Sequence, residues 1–357
     1  MILLDLPTLN KYDHSGMHKI YDRWPELARE SYESKIDAVD FQDIDHIVFA
    51  GMGGSGTIGD IFSSVLSKTN VHVSVVKGYV LPKTTDSNTL VVPTSVSGNT
   101  AETLAVLKSA YEKNCKIIAF SSGGRMQEYC AKNKIEHRSF QQVHSPRASF
   151  PIFLYCILKA LGTVIPMKKE EVLESIMFLD ELQKKINSSN LDNKNPALDI
   201  ASWISGTPLI YYPFGLQSAA IRFKNSLNEN AKIHVFVEEI SEACHNDIVS
   251  WERPTNVRPI LIEGEDDHIT TKEKWQILTE YFVTKKIDYK EVFSAPGNIL
   301  TKLINLIYLL DYASIYLAVR EGVDPSPIRS IDFVKRRQDM GSIELISTQH
   351  SRNSDLG

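Results

Sequence analysis

The chain has 357 residues, 43 % hydrophobic and 23 % charged, with a net charge of −5, which allows two domains of ordinary globular composition. The negative balance excludes a protein whose main work is gripping nucleic acid, and no apolar run approaches the roughly 18 residues of a membrane span. The start, Met1-Ile2-Leu3-Leu4-Asp5, has no basic region before an apolar one, so no secretory signal is expected, and the scattered Cys115, Cys130, Cys156 and Cys244 read as reduced thiols of a cytoplasmic protein.

Helical patterns such as Ile20, Trp24, Leu27 and Ala28 fill the first 40 residues. Apolar runs at 47–50, 71–76, 90–93 and 116–120 predict strands, separated by helices near 55–67, 100–113 and 124–132. Strands alternating with helices mean a parallel sheet covered on both faces. Residues 148–162 read as a largely buried helix, and the polar, asparagine-rich stretch 187–197, ending at Pro196 and Ala197, as a linker. A second series follows, with strands at 208–212, 233–237, 259–263 and 289–293 and helices near 215–230, 241–250, 271–285 and 298–320. The expected architecture is α/β, two αβα sandwiches with mainly parallel sheets. It divides as residues 1–186, residues 194–325, and a C-terminal helix and tail over 326–357.

Two loops carry chemistry. Pro93-Thr94-Ser95-Val96-Ser97-Gly98-Asn99-Thr100 joins an apolar strand to a helix start. Three hydroxyls (Ser95, Ser97, Thr100) beside free N–H groups suit a phosphate, although Ser, Thr and Asn are also ordinary N-cap residues. The other loop, Gly51-Met52-Gly53-Gly54-Ser55-Gly56, spells G-x-G-x-x-G between a strand and a helix, the dinucleotide fingerprint. Its acidic partner about 20 residues on is missing. The next strand ends at Val76-Lys77, and Lys77 leaves an NADP oxidoreductase open. A hydroxyl within the glycine turn fits a small phosphosugar better. Gly53, Gly54, Ser55, Ser95, Ser97 and Thr100 are therefore the candidate phosphate cradle. The matching place in the second half reads Glu263-Gly264-Glu265-Asp266-Asp267-His268, which repels phosphate. His14 and His18 lack further ligands nearby, so no metal site and no cofactor are expected.

Together the two loops resemble those of a sugar isomerase (SIS) domain. Ser145-Pro146-Arg147-Ala148, Asn228-Glu229-Asn230-Ala231-Lys232, Cys244-His245-Asn246-Asp247 and Ile331-Asp332-Phe333-Val334-Lys335 extend the likeness. The set is similar to the bifunctional phosphoglucose/phosphomannose isomerase family, over roughly residues 18 to 337. The resemblance implies two SIS-type sandwiches and interconversion of glucose 6-phosphate and mannose 6-phosphate with fructose 6-phosphate through a cis-enediol. It implies that Glu229 shuttles the C1/C2 proton and that His245 opens the sugar ring. In a homodimer, His245 would complete the neighbouring subunit's site. Lys335 is implied as a second ring-opening or substrate-contacting group, with Arg336 an alternative beside it. A guanidinium at Arg147, just after Pro146, would stabilise the enediolate. Partners are then a hexose 6-phosphate and a second copy of the chain, without nucleic acid or membrane. A phosphosugar-binding regulator using the same loops is the alternative of another class.

Overall fold

The computed structural model describes residues 4–337. Helices α1 (Leu6–Tyr12), α2 (Met17–Asp22) and α3 (Trp24–Glu33) precede the first sheet. That sheet grows from β1 (His46–Ala50), α4 (Gly54–Leu66), β2 (His72–Val76), β3 (Thr89–Ser95), α5 (Ala101–Glu112), β4 (Lys116–Ser121), α6 (Gly124–Asn133) and β5 (Glu136–Ser139). Its strands are all parallel, in the order β2-β1-β3-β4-β5. The central strands β1 and β3 are buried along their whole length, as continuous apolar runs in a doubly covered sheet must be. Strand β5, Glu-His-Arg-Ser, is an edge strand too polar to be read from hydropathy.

Helices α7 (Phe150–Ala160), α8 (Lys169–Ile186) and α9 (Pro196–Trp203) lead to the second sheet. It comprises β6 (Thr207–Tyr212), α10 (Gln217–Ser226), β7 (Phe236–Glu239), α11 (Ile240–Ala243), β8 (Val257–Glu263), α12 (Ile269–Lys285) and β9 (Lys290–Phe293). The order β7-β6-β8-β9, again parallel, repeats the first sheet's pattern. Helix α13 (Ile299–Arg320) follows, and residues 329–337 are helical. The part of the expected tail over 338–357 lies outside the described residues.

Three expectations change. The 187–197 stretch is docked rather than loose: Ser188 N donates to Asp22 Oδ1 at 2.9 Å, and buried Asn195 caps α9 through Ala197 N at 2.9 Å. The helix expected over 241–250 breaks into α11, a turn at 244–246 and a 3-10 segment over Asp247–Glu252. Despite the absence of an unbroken apolar run, α13 is long and apolar enough to cross a membrane, yet 89 % of its apolar window is buried inside the protein.

That burial explains the molecule's centre. One continuous apolar cluster takes in Trp24 of α3, Phe62 of α4, Phe153 of α7, Phe223 of α10 and Tyr308, Tyr312 and Tyr316 of α13. Trp24 stacks on Tyr21 (4.4 Å) and Tyr308 (5.3 Å), so the N-terminal helices and α13 share one aromatic core. The outer faces of the two sheets have separate, smaller clusters. The facing surfaces of the two sandwiches are thus cemented together, which brings residues of both to one place.

Candidate active site

The loops after β1 and β3 rise from neighbouring strands at the point where the strand order reverses. In open α/β sheets this crevice, outside the carboxyl ends of the strands, is where ligands bind. Helix α4 begins at Gly54 behind Gly53, whose φ of +54° suits glycine. Helix α5 begins behind Thr100. Neither helix has a side-chain cap, so the hydroxyls do not serve as ordinary caps. In α4, Ser55 N and Gly56 N turn back to the Met52 carbonyl at 3.1 and 3.3 Å, which leaves the Gly54 N–H, with no acceptor among the described residues, to face an anion. Ser95, buried at the end of β3, and Thr100 share a hydroxyl–hydroxyl bond of 2.8 Å, while exposed Ser97 accepts from Asn99 N at 3.3 Å. Gly98 is required by packing. With φ +67°, a Cβ there would lie 1.8 Å from the Gly123 carbonyl oxygen. Asn99, which composition alone would make a cap of α5, instead accepts from Arg125 N at 3.1 Å in the first turn of α6.

Glu229 does not close an α-helix as expected. Helix α10 ends at Ser226 and a π turn, Leu227–Ala231, carries Glu229, stopped by Lys232 at φ +60°. Inserted π turns frequently mark functional sites. The Glu229 side chain keeps 28 % exposure, and its Oε2 accepts from Arg147 Nη1 at 3.3 Å. Arg147, only 5 % exposed in the turn before α7, spends most of its fork on protein. Its Nε donates to Asn230 Oδ1 at 2.8 Å, and its Nη2 to the carbonyls of Pro325 (2.6 Å) and Ser326 (3.0 Å). Asn230 is in turn anchored to Ser314 Oγ of α13 at 2.8 Å.

Three basic side chains edge this cluster. Lys232 Nζ donates to the Glu229 carbonyl and, at 3.4 Å, to that of Pro325; partial burial, with Arg147 adding repulsion, holds its pKa below the usual lysine value. His144 Nε2 lies 3.3 Å from Ser326 Oγ, and burial followed by Arg147 lowers its pKa. The third, Arg222 of α10, is 2 % exposed, paired with Asp311 of α13 and bonded to the Arg147 carbonyl at 2.9 Å. A Cβ placed on Gly54 would sit 3.0 Å from Arg222 Nη1, so the glycine loop and the Glu229–Arg147 cluster adjoin.

The other two candidates stand apart. His245 sits exposed in the turn after α11, and Lys335 exposed on the helical segment 329–337. Among the described residues no hydrogen bond or ion pair joins the side chain of either to the cluster. Sequence reasoning quoted Lys232 without giving it a role and missed Arg222 and Asp311. A lone aspartate inside the apolar α13 and an arginine among Ala219, Ala220 and Phe223 were the available signal, since charges in apolar surroundings come paired. Lys77, the residue that left the NADP reading open, pairs with Asp60 Oδ2 at 2.5 Å.

Residues 40–134 match the model of the SIS domain, and residues 193–337 that of the bacterial phospho-glucose isomerase C-terminal SIS domain. A bifunctional phosphoglucose/phosphomannose isomerase from Caldicellulosiruptor bescii is 31 % identical over 327 residues, covering 88 % of this chain and 96 % of its own. A D-glucosamine-6-phosphate 4-epimerase from Sulfolobus acidocaldarius is 27 % identical, covering 90 % and 97 %. Among solved structures, a hypothetical protein from Thermus thermophilus superposes with a TM-score of 0.71 at 15 % identity, covering 94 % of this chain and 92 % of that one, which speaks for the fold alone. By the identity and span of the Caldicellulosiruptor match, the chain belongs to the bifunctional phosphoglucose/phosphomannose isomerase family.

Proposed function

We propose that the protein is an aldose–ketose isomerase that interconverts glucose 6-phosphate and mannose 6-phosphate with fructose 6-phosphate. The observation that carries this reading is the junction of an uncapped double helix-start cradle with a carboxylate held by a buried arginine. The cradle takes the phosphate on Gly53 and Gly54, Ser55, Ser95, Ser97 and Thr100. Binding this non-reacting end fixes C1 and C2 against Glu229. Glu229 removes the C2 proton of the aldose and returns it to C1 while the hydroxyl proton passes from O2 to O1, forming the ketose; the enediolate between them carries the charge. Arg147 has one Nη1 proton beyond the bond to Glu229, and we assign that proton to the developing oxyanion. Its other donors, spent on Asn230, Pro325 and Ser326, keep the guanidinium from following the substrate.

Ring opening needs an acid–base group, and we assign it to His245 with Lys335 assisting. Both lie exposed on one protomer, and in the homodimer we propose, His245 reaches the neighbouring subunit's site. Purified protein given fructose 6-phosphate, with neither metal nor nucleotide added, should form glucose 6-phosphate and mannose 6-phosphate. No turnover would defeat the isomerase reading, and glucose 6-phosphate alone would narrow it. A parallel incubation with glucosamine 6-phosphate separates it from 4-epimerisation, the reaction in the name of the Sulfolobus relative.

A further inference from the structure

Arg222 is the most deeply buried cation beside the cradle, and its hydrogen bonds are unevenly used. Nε donates to Asp311 Oδ1 and Oδ2 at 3.3 and 3.1 Å, and Nη2 to Asp311 Oδ2 at 2.7 Å and to the Arg147 carbonyl at 2.9 Å. Phe150 lies under the guanidinium carbon at 4.3 Å and fixes the plane. Nη1 has no acceptor among the described residues, and it is the nitrogen that faces Gly54. Asp311 is itself saturated by Arg222, Ser226 and Tyr21, so nothing in that network calls for the two remaining Nη1 protons. A buried guanidinium with one empty nitrogen at the start of a long helix is a built half of an anion site. The other half is the Gly54 N–H at the uncapped start of α4, which has no acceptor among the described residues.

We propose that Arg222 is a further ligand of the substrate's phosphate, donating from Nη1 across the glycine loop. The second sandwich thereby reaches into the cradle of the first. This rests on the isomerase reading for the identity of the substrate, but the phosphate contact itself does not. Through its Nη2 bond to the Arg147 carbonyl, Arg222 also ties the grip on the phosphate to the group placed at C1 and C2, which sets the distance between the two ends of the substrate.

The test is titration of the full-length protein with inorganic phosphate by calorimetry, alongside kcat and KM for fructose 6-phosphate. Arg222→Lys keeps a cation for Asp311 but cannot span both partners. The double change Arg222→Gln with Asp311→Asn removes both charges, so no lone carboxylate is left buried. In whichever variant keeps the wild-type circular dichroism, the phosphate Kd should rise on the order of tenfold, as for a lost charge-assisted bond, and KM should rise with it. An unchanged phosphate Kd with a lowered kcat would overturn the proposal and leave Arg222 a strut for Arg147. Wild type that binds phosphate, with the variant weakened, yet converts no hexose phosphate would uphold this contact while defeating the isomerase reading.

Discussion

In the proposed reaction, Glu229 and Arg147 divide the work at the residue scale. Glu229→Gln preserves an acceptor for Arg147 Nη1 but removes the proton acceptor. Turnover of fructose 6-phosphate should fall about 10²- to 10⁴-fold with KM and melting temperature little changed; wild-type turnover would remove Glu229 from the reaction. Arg147→Lys keeps the positive charge and loses the fork that holds Asn230, Pro325 and Ser326. Both kcat and stability should drop, stability by about 2–3 kcal/mol, measured by urea unfolding. If the lysine variant works normally, charge alone suffices and the fork is dispensable. The type of each side chain was legible in the sequence. That Arg147 and Glu229, 82 positions apart, form one ion pair was not, because no local spacing encodes a contact made across two sandwiches.

At the scale of elements, the proposed phosphate loops depend on glycine for clearance as much as for conformation. Gly98→Ala drives a Cβ into the Gly123 carbonyl, so the loops after β3 and β4 must separate. Phosphate affinity should fall at least tenfold and the protein should lose about 2 kcal/mol or more; calorimetry and thermal melting read the two. The carboxyl end of β8 behaves in the opposite way. Glu263 is largely buried, its Oε1 has no partner among the described residues, and burial, with Glu291 and Asp267 adding repulsion, pushes its pKa up to about 7. A carboxyl whose folded pKa is raised favours the folded state below the unfolded value near 4.5, and that contribution is lost as the pH rises through about 7. Glu263→Gln should therefore melt higher than wild type at pH 8, by roughly 2–4 °C, and the gap should close near pH 5. The acidic turn was legible in Glu263-Gly264-Glu265-Asp266-Asp267. The π turn under Glu229 was not, since Leu227–Ala231 has the composition of any helix end, and its buried Leu227, Asn230 and Ala231 and the Asn230 bond to Ser314 are tertiary contacts.

On the scale of the whole molecule, α13 is the shared wall on which both sandwiches rest. It carries Asp311 to Arg222 and Ser314 to Asn230, so the core helix also sets the site. Asp311→Ala should cost about 3–5 kcal/mol, as a buried pair broken on one side does. The double change at Arg222 and Asp311 should recover part of that loss in urea unfolding. The proposed dimer makes a sharper prediction. Glu229→Gln and His245→Ala proteins, each inactive, should regain about a quarter of wild-type activity when unfolded together and refolded, because half the dimers are mixed and each has one intact site. No recovery would place His245 in its own subunit's site or outside the reaction.

Taken alone, the sequence determined the parallel α/β layering, the two loops that suit a phosphate, and the residue types that fit proton transfer. These are local properties: hydrophobic period, glycine position and helix-start chemistry are written in neighbouring residues. It took the folded chain to show that Gly54, Arg147, Arg222 and Glu229 meet, that Thr100 leaves its helix uncapped, and that His245 lies in a break between short helices. The physical reason is the shared apolar core around α13. Burying one face of each sandwich against the same helix fixes their relative position, and with it every distance between a residue of the first half and a residue of the second.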